Sequence, residues 1–115
     1  MTPYEEVTVM AKYLLEVNYT LDGVKGVKAK GGSARRAAAE AAAKSAGGKV
    51  EEFYFAFGST DVFVIADFPD NTAAAALALA VTAGGGATVR TVVLLTADEV
   101  DDAVGRSIAY TPPGS

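Results

Sequence analysis

Phe53-Tyr-Phe-Ala-Phe-Gly-Ser-Thr-Asp-Val-Phe-Val-Ile-Ala-Asp-Phe68 is the stretch whose reading decides the fold. Two runs rich in aromatic and β-branched residues flank Gly58, Ser59 and Thr60, and that pairing of strand composition with turn chemistry predicts a β-hairpin of two long strands. Both strands are apolar on both faces. Phe53, Phe55 and Phe57 alternate with Tyr54 and Ala56, while Val62, Val64 and Ala66 alternate with Phe63 and Ile65. A strand with two dry faces needs cover on both sides, so the hairpin is expected to form the core of the molecule.

Upstream of the hairpin, Tyr13, Leu15, Val17 and Tyr19 alternate with Lys12, Leu14, Glu16 and Asn18, which predicts a strand with one greasy and one mixed face. Thr20 then caps a short helix in which Leu21, Val24 and Val27 recur at helical spacing, ending near Gly31 and Gly32. Ser33 is expected to cap a second, Ala-rich helix from Ala34 to Ala46, closed by Gly47 and Gly48. Its Arg36, Glu40 and Lys44 make a charged stripe for water, and its Ala37, Ala38, Ala41 and Ala42 make a smooth side for close approach to a sheet.

Downstream, Pro69 and Asp70 turn the chain, and Asn71 or Thr72 is expected to cap a charge-free helix from Ala73 to Ala83. A helix apolar all round is expected to be buried all round. Gly84, Gly85 and Gly86 end it, Ala87 to Thr96 forms a fourth strand, and Ala97, Asp98 and Glu99 open a last short helix running to about Arg106. The domain organisation is therefore an N-terminal extension at 1–11, one domain at 12–106 and a tail at 107–115.

The resulting order is β, α, β, β, α, β with an appended C-terminal helix: an α+β chain of the split βαβ, ferredoxin-like type. Such a sheet receives both helices on one face. Its other face keeps an apolar set from each strand that nothing in the chain is left to cover, and monomers rarely tolerate apolar patches beyond a few hundred Å². A homodimer or higher homo-oligomer, with two sheets face to face, is the expected cover.

Composition bounds the chemistry. At 115 residues there is room for one domain and one core. Half the residues are apolar and 21% are charged, the balance of a folded globular chain. A net charge of −4 provides no field for a phosphate backbone, so no nucleic-acid partner is expected. With no Cys and no His, the chain lacks disulfides, thiolate nucleophiles, Cys-ligated metals and every Ser-His or Cys-His triad. Scattered carboxylates at Glu51, Glu52, Asp67, Asp101 and Asp102 show no metal-ligand spacing, so neither metal nor cofactor is expected. The first apolar run, Tyr13 to Val17, is short and interrupted by Glu16, and the longest, Ala73 to Val81, falls far short of the ~20 residues that span a bilayer. A cytoplasmic protein without a membrane partner is expected.

Three groups of residues carry candidate chemistry. Glu16 and Asn18 share the mixed face of the first strand, where a desolvated carboxylate between two packed sheets is prepared for general-base work, with Tyr54 adding a hydroxyl. The plainer reading pairs them with Lys12 or Arg90 at a wet rim. Asp61 follows the hairpin turn with Arg90 on a neighbouring strand, and either orients a ligand's polar end or simply stabilises the bend. Gly31, Gly32, Ser33, Arg35 and Arg36 form a Gly-rich, cationic helix entry of the kind that holds anions, though capping and a solvated charge stripe explain it as well. Two functional classes follow. One is a module that binds a small apolar or aromatic molecule in the inter-sheet space; the alternative is a cofactor-independent enzyme acting on such a molecule, with Glu16 as base and Asn18 or Arg90 steadying negative charge.

The segments Lys12-Tyr-Leu-Leu-Glu-Val-Asn-Tyr-Thr, Gly31-Gly-Ser-Ala-Arg-Arg, Phe53-Tyr-Phe-Ala-Phe-Gly-Ser-Thr-Asp-Val and Val89-Arg-Thr-Val-Val-Leu-Leu-Thr together resemble the GYD family of small bacterial and archaeal proteins, over about Lys12 to Val104. Of the Gly, Tyr, Asp signature at the hairpin, Gly58 and Asp61 fit, and Thr60 stands in place of the Tyr. The resemblance implies a ferredoxin-like protomer of the dimeric α+β barrel type, whose relatives by fold include oxygenases, haem-degrading enzymes, isomerases and effector-binding modules. It implies no particular activity.

Overall fold

A computed structural model describes residues 10–114; residues 1–9 of the expected N-terminal extension lie outside the described residues. In chain order the elements are β1 (Ala11–Tyr19), α1 (Leu21–Lys30), α2 (Gly32–Ser45), β2 (Lys49–Phe55), β3 (Val62–Phe68), α3 (Asn71–Ala83), β4 (Ala87–Leu94) and α4 (Ala97–Val104). The four strands form one sheet in the order β2-β3-β1-β4, every neighbouring pair antiparallel. This is the ferredoxin-like α+β arrangement expected from the sequence.

The core lies on one face of that sheet. Tyr13 and Leu15 from β1, with Val62, Val64, Ala66 and Phe68 from β3, pack beneath Ala43 of α2 and Ala74 of α3. Alternation explains the set: every second residue of β3 is buried, and the residues between them point to the other side. Small alanines at the contact let the helices approach closely. Tyr13 and Phe68 meet edge to face with ring centroids 5.7 Å apart. The buried Tyr13 hydroxyl donates to Asn71 Oδ1 at 2.6 Å, so its polar end is satisfied, and burial pushes its phenol above the usual range.

Local chemistry sets the boundaries, in places differently from the sequence expectation. Thr20 caps α1 as expected, its hydroxyl accepting from Gly23 N–H at 3.3 Å. Ser33, however, does not cap α2. Gly31, at φ +87°, reverses the chain in a single residue and closes α1 by donating to the Val27 carbonyl at 2.7 Å, so α2 starts one residue later and Ser33 falls inside it. The cap of α3 is Asp70, which accepts from Ala73 N–H at 2.8 Å; Asn71 is committed to Tyr13 instead. Thr96 and Glu99 make a reciprocal capping box that ends β4 at Leu94 and starts α4.

Two further expectations are revised. The hairpin is present, but only β3 is a core strand. β2 lies at the sheet edge, begins at Lys49, carries a bulge between Val50 and Glu52, and stops at Phe55, leaving Phe57 fully exposed in the turn. Nor is α3 buried all round: Ala74 is its one buried residue, and Leu79 faces solvent among the described residues. Absence of charge marked a helix with small side chains, whose short reach covers one neighbour and not two.

Candidate functional site

The sheet face opposite the helices is uncovered among the described residues, and the strand register fixes what stands on it. Glu16 of β1 pairs across with Phe63 of β3 on one side and Arg90 of β4 on the other, and Phe63 pairs with Tyr54 of β2. One continuous row therefore reads Tyr54, Phe63, Glu16, Arg90. The next row along the strands reads Glu52, Ile65, Leu14, Val92, and the one after it carries Asp67, Lys12 and Leu94. A band of Phe63, Ile65, Leu14 and Val92 thus crosses the face, with Glu16 beside it.

Glu16 is held by charge. Its Oε2 lies 3.7 Å from Arg90 Nε, with the carboxylate side chain 21% exposed and the guanidinium side chain 84% exposed. Phe63 beside it on β3 and the ion pair with Arg90 flank the mostly covered carboxylate, while the Arg90 side chain stays largely open to solvent. The pair therefore offers a fixed negative site and an adaptable cationic one at the rim of an apolar floor. Lys12 closes the far end of the face. It binds Asp67 at 2.8 Å and also Glu51, and those two partners raise its pKa above the ordinary lysine value, Asp67 contributing most.

Asn18 and Asp61 stand at the opposite end and serve the backbone. Asp61 N–H donates to Asn18 Oδ1 at 3.0 Å and to the Val17 carbonyl at 3.0 Å, while Asp61 Oδ2 accepts from Tyr19 N–H at 2.9 Å. The two side chains clamp the β2–β3 turn to the end of β1, at the position where Asp61 had been expected to form part of a turn. Arg90 is engaged with Glu16 and makes no ion pair with Asp61 among the described residues. Tyr54 lies on the open face, next to Phe63, and 64% exposed. Arg36 belongs to the other layer: it sits on the outer side of α2, 3.8 Å from Glu40, with the sheet between it and Glu16.

The structure thus brings Glu16, Arg90 and Tyr54 into one row, places Asn18 and Asp61 in a clamp at its end, and separates Arg36 from all of them. Phe63 and Leu14, the floor beside Glu16, were not singled out from the sequence. Their signal was the alternation itself, once Val62, Val64 and Tyr13 are assigned to the helix side. On that helix side the space between α2 and the sheet amounts to about 90 Å³, lined by alanines, valines and leucines. Less than the ~150 Å³ of an apolar cavity that accepts benzene, it leaves no enclosed room for an aromatic ligand there. At its mouth Tyr19 and Arg35 approach one another; burial raises the Tyr19 phenol, and the guanidinium partly offsets that. No cluster of metal-ligating side chains occurs among the described residues. No helix among them is long and apolar enough to cross a membrane.

The model of the GYD domain matches residues 13–104. This chain belongs to the GYD family. Within that matched span, Gly58 lies in the β2–β3 turn, Asp61 is the clamp residue just described, and Thr60 between them is half-buried. No curated protein and no solved structure matches this GYD protein.

Proposed function

We propose that this GYD protein is a homo-oligomeric binding module in which two open sheet faces pack against each other and hold a small apolar or aromatic molecule between them. The observation that carries the reading is the uncovered row of Tyr54, Phe63, Glu16 and Arg90 above the Leu14, Ile65 and Val92 floor. Aromatic and aliphatic groups supply the walls, and one ion pair supplies the polar contact that orients a ligand, the usual division of labour in small-molecule sites. Covering the face also shields the exposed Tyr54, Phe63 and Val92, apolar surface of the kind that marks interaction sites.

The test has two arms. Light scattering over a concentration series should give a dimer or a higher oligomer for the native chain and a smaller assembly for Ile65→Glu, which sets a charge in the middle of the buried band; a protomer mass at every concentration of the native chain ends the proposal. Binding of 1-anilinonaphthalene-8-sulfonate, an aromatic probe with an anionic end, should weaken severalfold in Arg90→Ala and tighten in Glu16→Gln. The catalytic alternative, with Glu16 as base, is separated by the same variant, because Glu16→Gln in an enzyme abolishes turnover of a converted compound whatever its affinity.

A further inference from the structure

The C-terminal segment after β4 stands away from the protomer. Every residue of α4 is exposed, and so is every described residue of the segment that follows it. The Cα radius of gyration is 17.8 Å. A compact chain of this length has about 13 Å, so the molecule reaches well beyond a compact body. The C-terminal arm is not built for solvent. Around α4, Ala97, Val100, Ala103 and Val104 gather on one side, and Asp98, Glu99, Asp101 and Asp102 occupy the other. Val104 is 81% exposed, and the apolar line continues beyond the helix in Ile108 and Tyr110.

A matching surface exists at the far end of the sheet. Between α1 and the β2–β3 turn runs a groove of about 490 Å³, floored by Val24, Val27, Phe55 and Phe57 and edged by Lys28. Phe57 projects into it wholly exposed, at 106%. Lys25 lies one turn before Lys28 on the same helix, so the α1 side of the groove is basic where α4 is acidic, while Asp61 lines the groove near the β2–β3 turn.

The arm cannot fill this groove within one chain. α4 leaves from the end of β4 that pairs with Lys12, whereas the groove lies at the other end of β1, beyond Tyr19. Seven residues of strand put ~23 Å between those ends, and the groove is displaced by a further three strand spacings, ~14 Å, toward the β2 edge. Only Leu95 and Thr96 link β4 to α4. Two residues span at most ~7 Å, and Val100 lies about 6 Å along the helix from there.

We infer that α4 of one copy docks in the α1/β2 groove of a second copy, Val100 and Val104 seated on Phe55 and Phe57, with Asp98, Asp101 and Asp102 near Lys25 and Lys28. When the exchange is reciprocal, each copy gives an arm and receives one, and the contact closes as a two-fold pair. It uses the helix side of the molecule, and so is independent of the open-face packing proposed above.

Because the chain contains no Cys, it reports the contact directly. Val104→Cys protein mixed with Phe57→Cys protein and mildly oxidised should form a disulfide-linked pair containing one chain of each, distinguished by a mass tag on one of them. Both positions are exposed, so folding, checked by circular dichroism, is undisturbed. In the full-length chain, Val100→Asp with Val104→Asp should weaken self-association on the order of a hundredfold, and Lys28→Glu should weaken it less and make it less salt-sensitive. Absence of the mixed disulfide, or an intrachain bond in the Val104→Cys, Phe57→Cys double variant, overturns the inference. An oligomer that ignores the arm substitutions but collapses with Ile65→Glu overturns it as well, while leaving the open-face reading intact.

Discussion

Two glycines in one helix should respond to the same substitution with opposite sign. Gly23 and Gly26 both lie inside α1, where replacing Gly by Ala gains about 1 kcal/mol of helix propensity. At Gly26 nothing lies within 4 Å of the added Cβ, so the gain stands alone. At Gly23 the Cβ would sit 1.9 Å from the Gly86 carbonyl oxygen and 3.1 Å from Tyr19 Cδ1. That carbonyl is fixed, because it accepts from Thr20 N–H at 3.0 Å, and the neighbouring Gly85 carbonyl accepts from the Thr20 hydroxyl at 2.8 Å. Relieving the clash moves α1 off the start of β4 and breaks one or both bonds. Overpacking costs ~1–3 kcal/mol and each lost hydrogen bond about 1 kcal/mol, so Gly23→Ala should destabilise by ~2 kcal/mol after the propensity gain is subtracted. With a urea m-value near 1.5 kcal/mol/M, the two variants should differ in midpoint by about 2 M, Gly26→Ala above the native chain and Gly23→Ala below it. Far-UV circular dichroism against urea measures both. Equal midpoints would refute the idea that α1 is pinned to β4 through the Gly23–Gly86 contact.

Tyr13→Phe leaves the Asn71 amide oxygen without its donor and should cost about 1 kcal/mol, visible as a lower urea midpoint with an unchanged slope. Asp61→Ala removes the acceptor for Tyr19 N–H and loosens the turn; amide exchange at Tyr19 should accelerate at least tenfold while the Tyr13–Phe68 core keeps its protection. Lys12, Tyr13 and Tyr19 all have folded pKa values raised above their ordinary ones. Each contributes stability that is complete below the unfolded pKa of about 10 and is lost as pH rises through the folded value, so urea midpoints should be level from pH 7 to 9 and fall above pH 10. A midpoint that rises over that alkaline range contradicts the assignment.

Much of the fold was legible because its signals are local and periodic. The alternation of Tyr13, Leu15, Val17 and Tyr19 located β1, and the runs on either side of Gly58 located β2 and β3. The caps were harder. Ser33 and Asn71 are good capping residues by type, yet Gly31 and Asp70 won, because a positive-φ turn and a partner for buried Tyr13 are decided by geometry that composition does not contain. Candidate site residues divided the same way. Glu16 and Arg90 were each visible as charges in apolar strands and Arg90 was one of two partners the plainer reading offered; choosing it over Lys12 takes the β1/β4 register, a long-range property. Arg36 was read as part of a separate cationic helix entry, and it lies on the outer side of α2 beside Glu40, with the sheet between it and Glu16.

The two rims of the sheet are unequal. β2 ends the sheet with a bulge and with Lys49, Glu51 and Glu52 along its length, features that twist and charge a margin against strand addition. β4 ends it with a regular run of Ala87 to Leu94 in which Arg90 is the only charge. Misdirected growth during refolding at high protein concentration is therefore channelled to the β4 margin, and a single added lysine there, at Thr88, is the change that raises the yield of recovered protein.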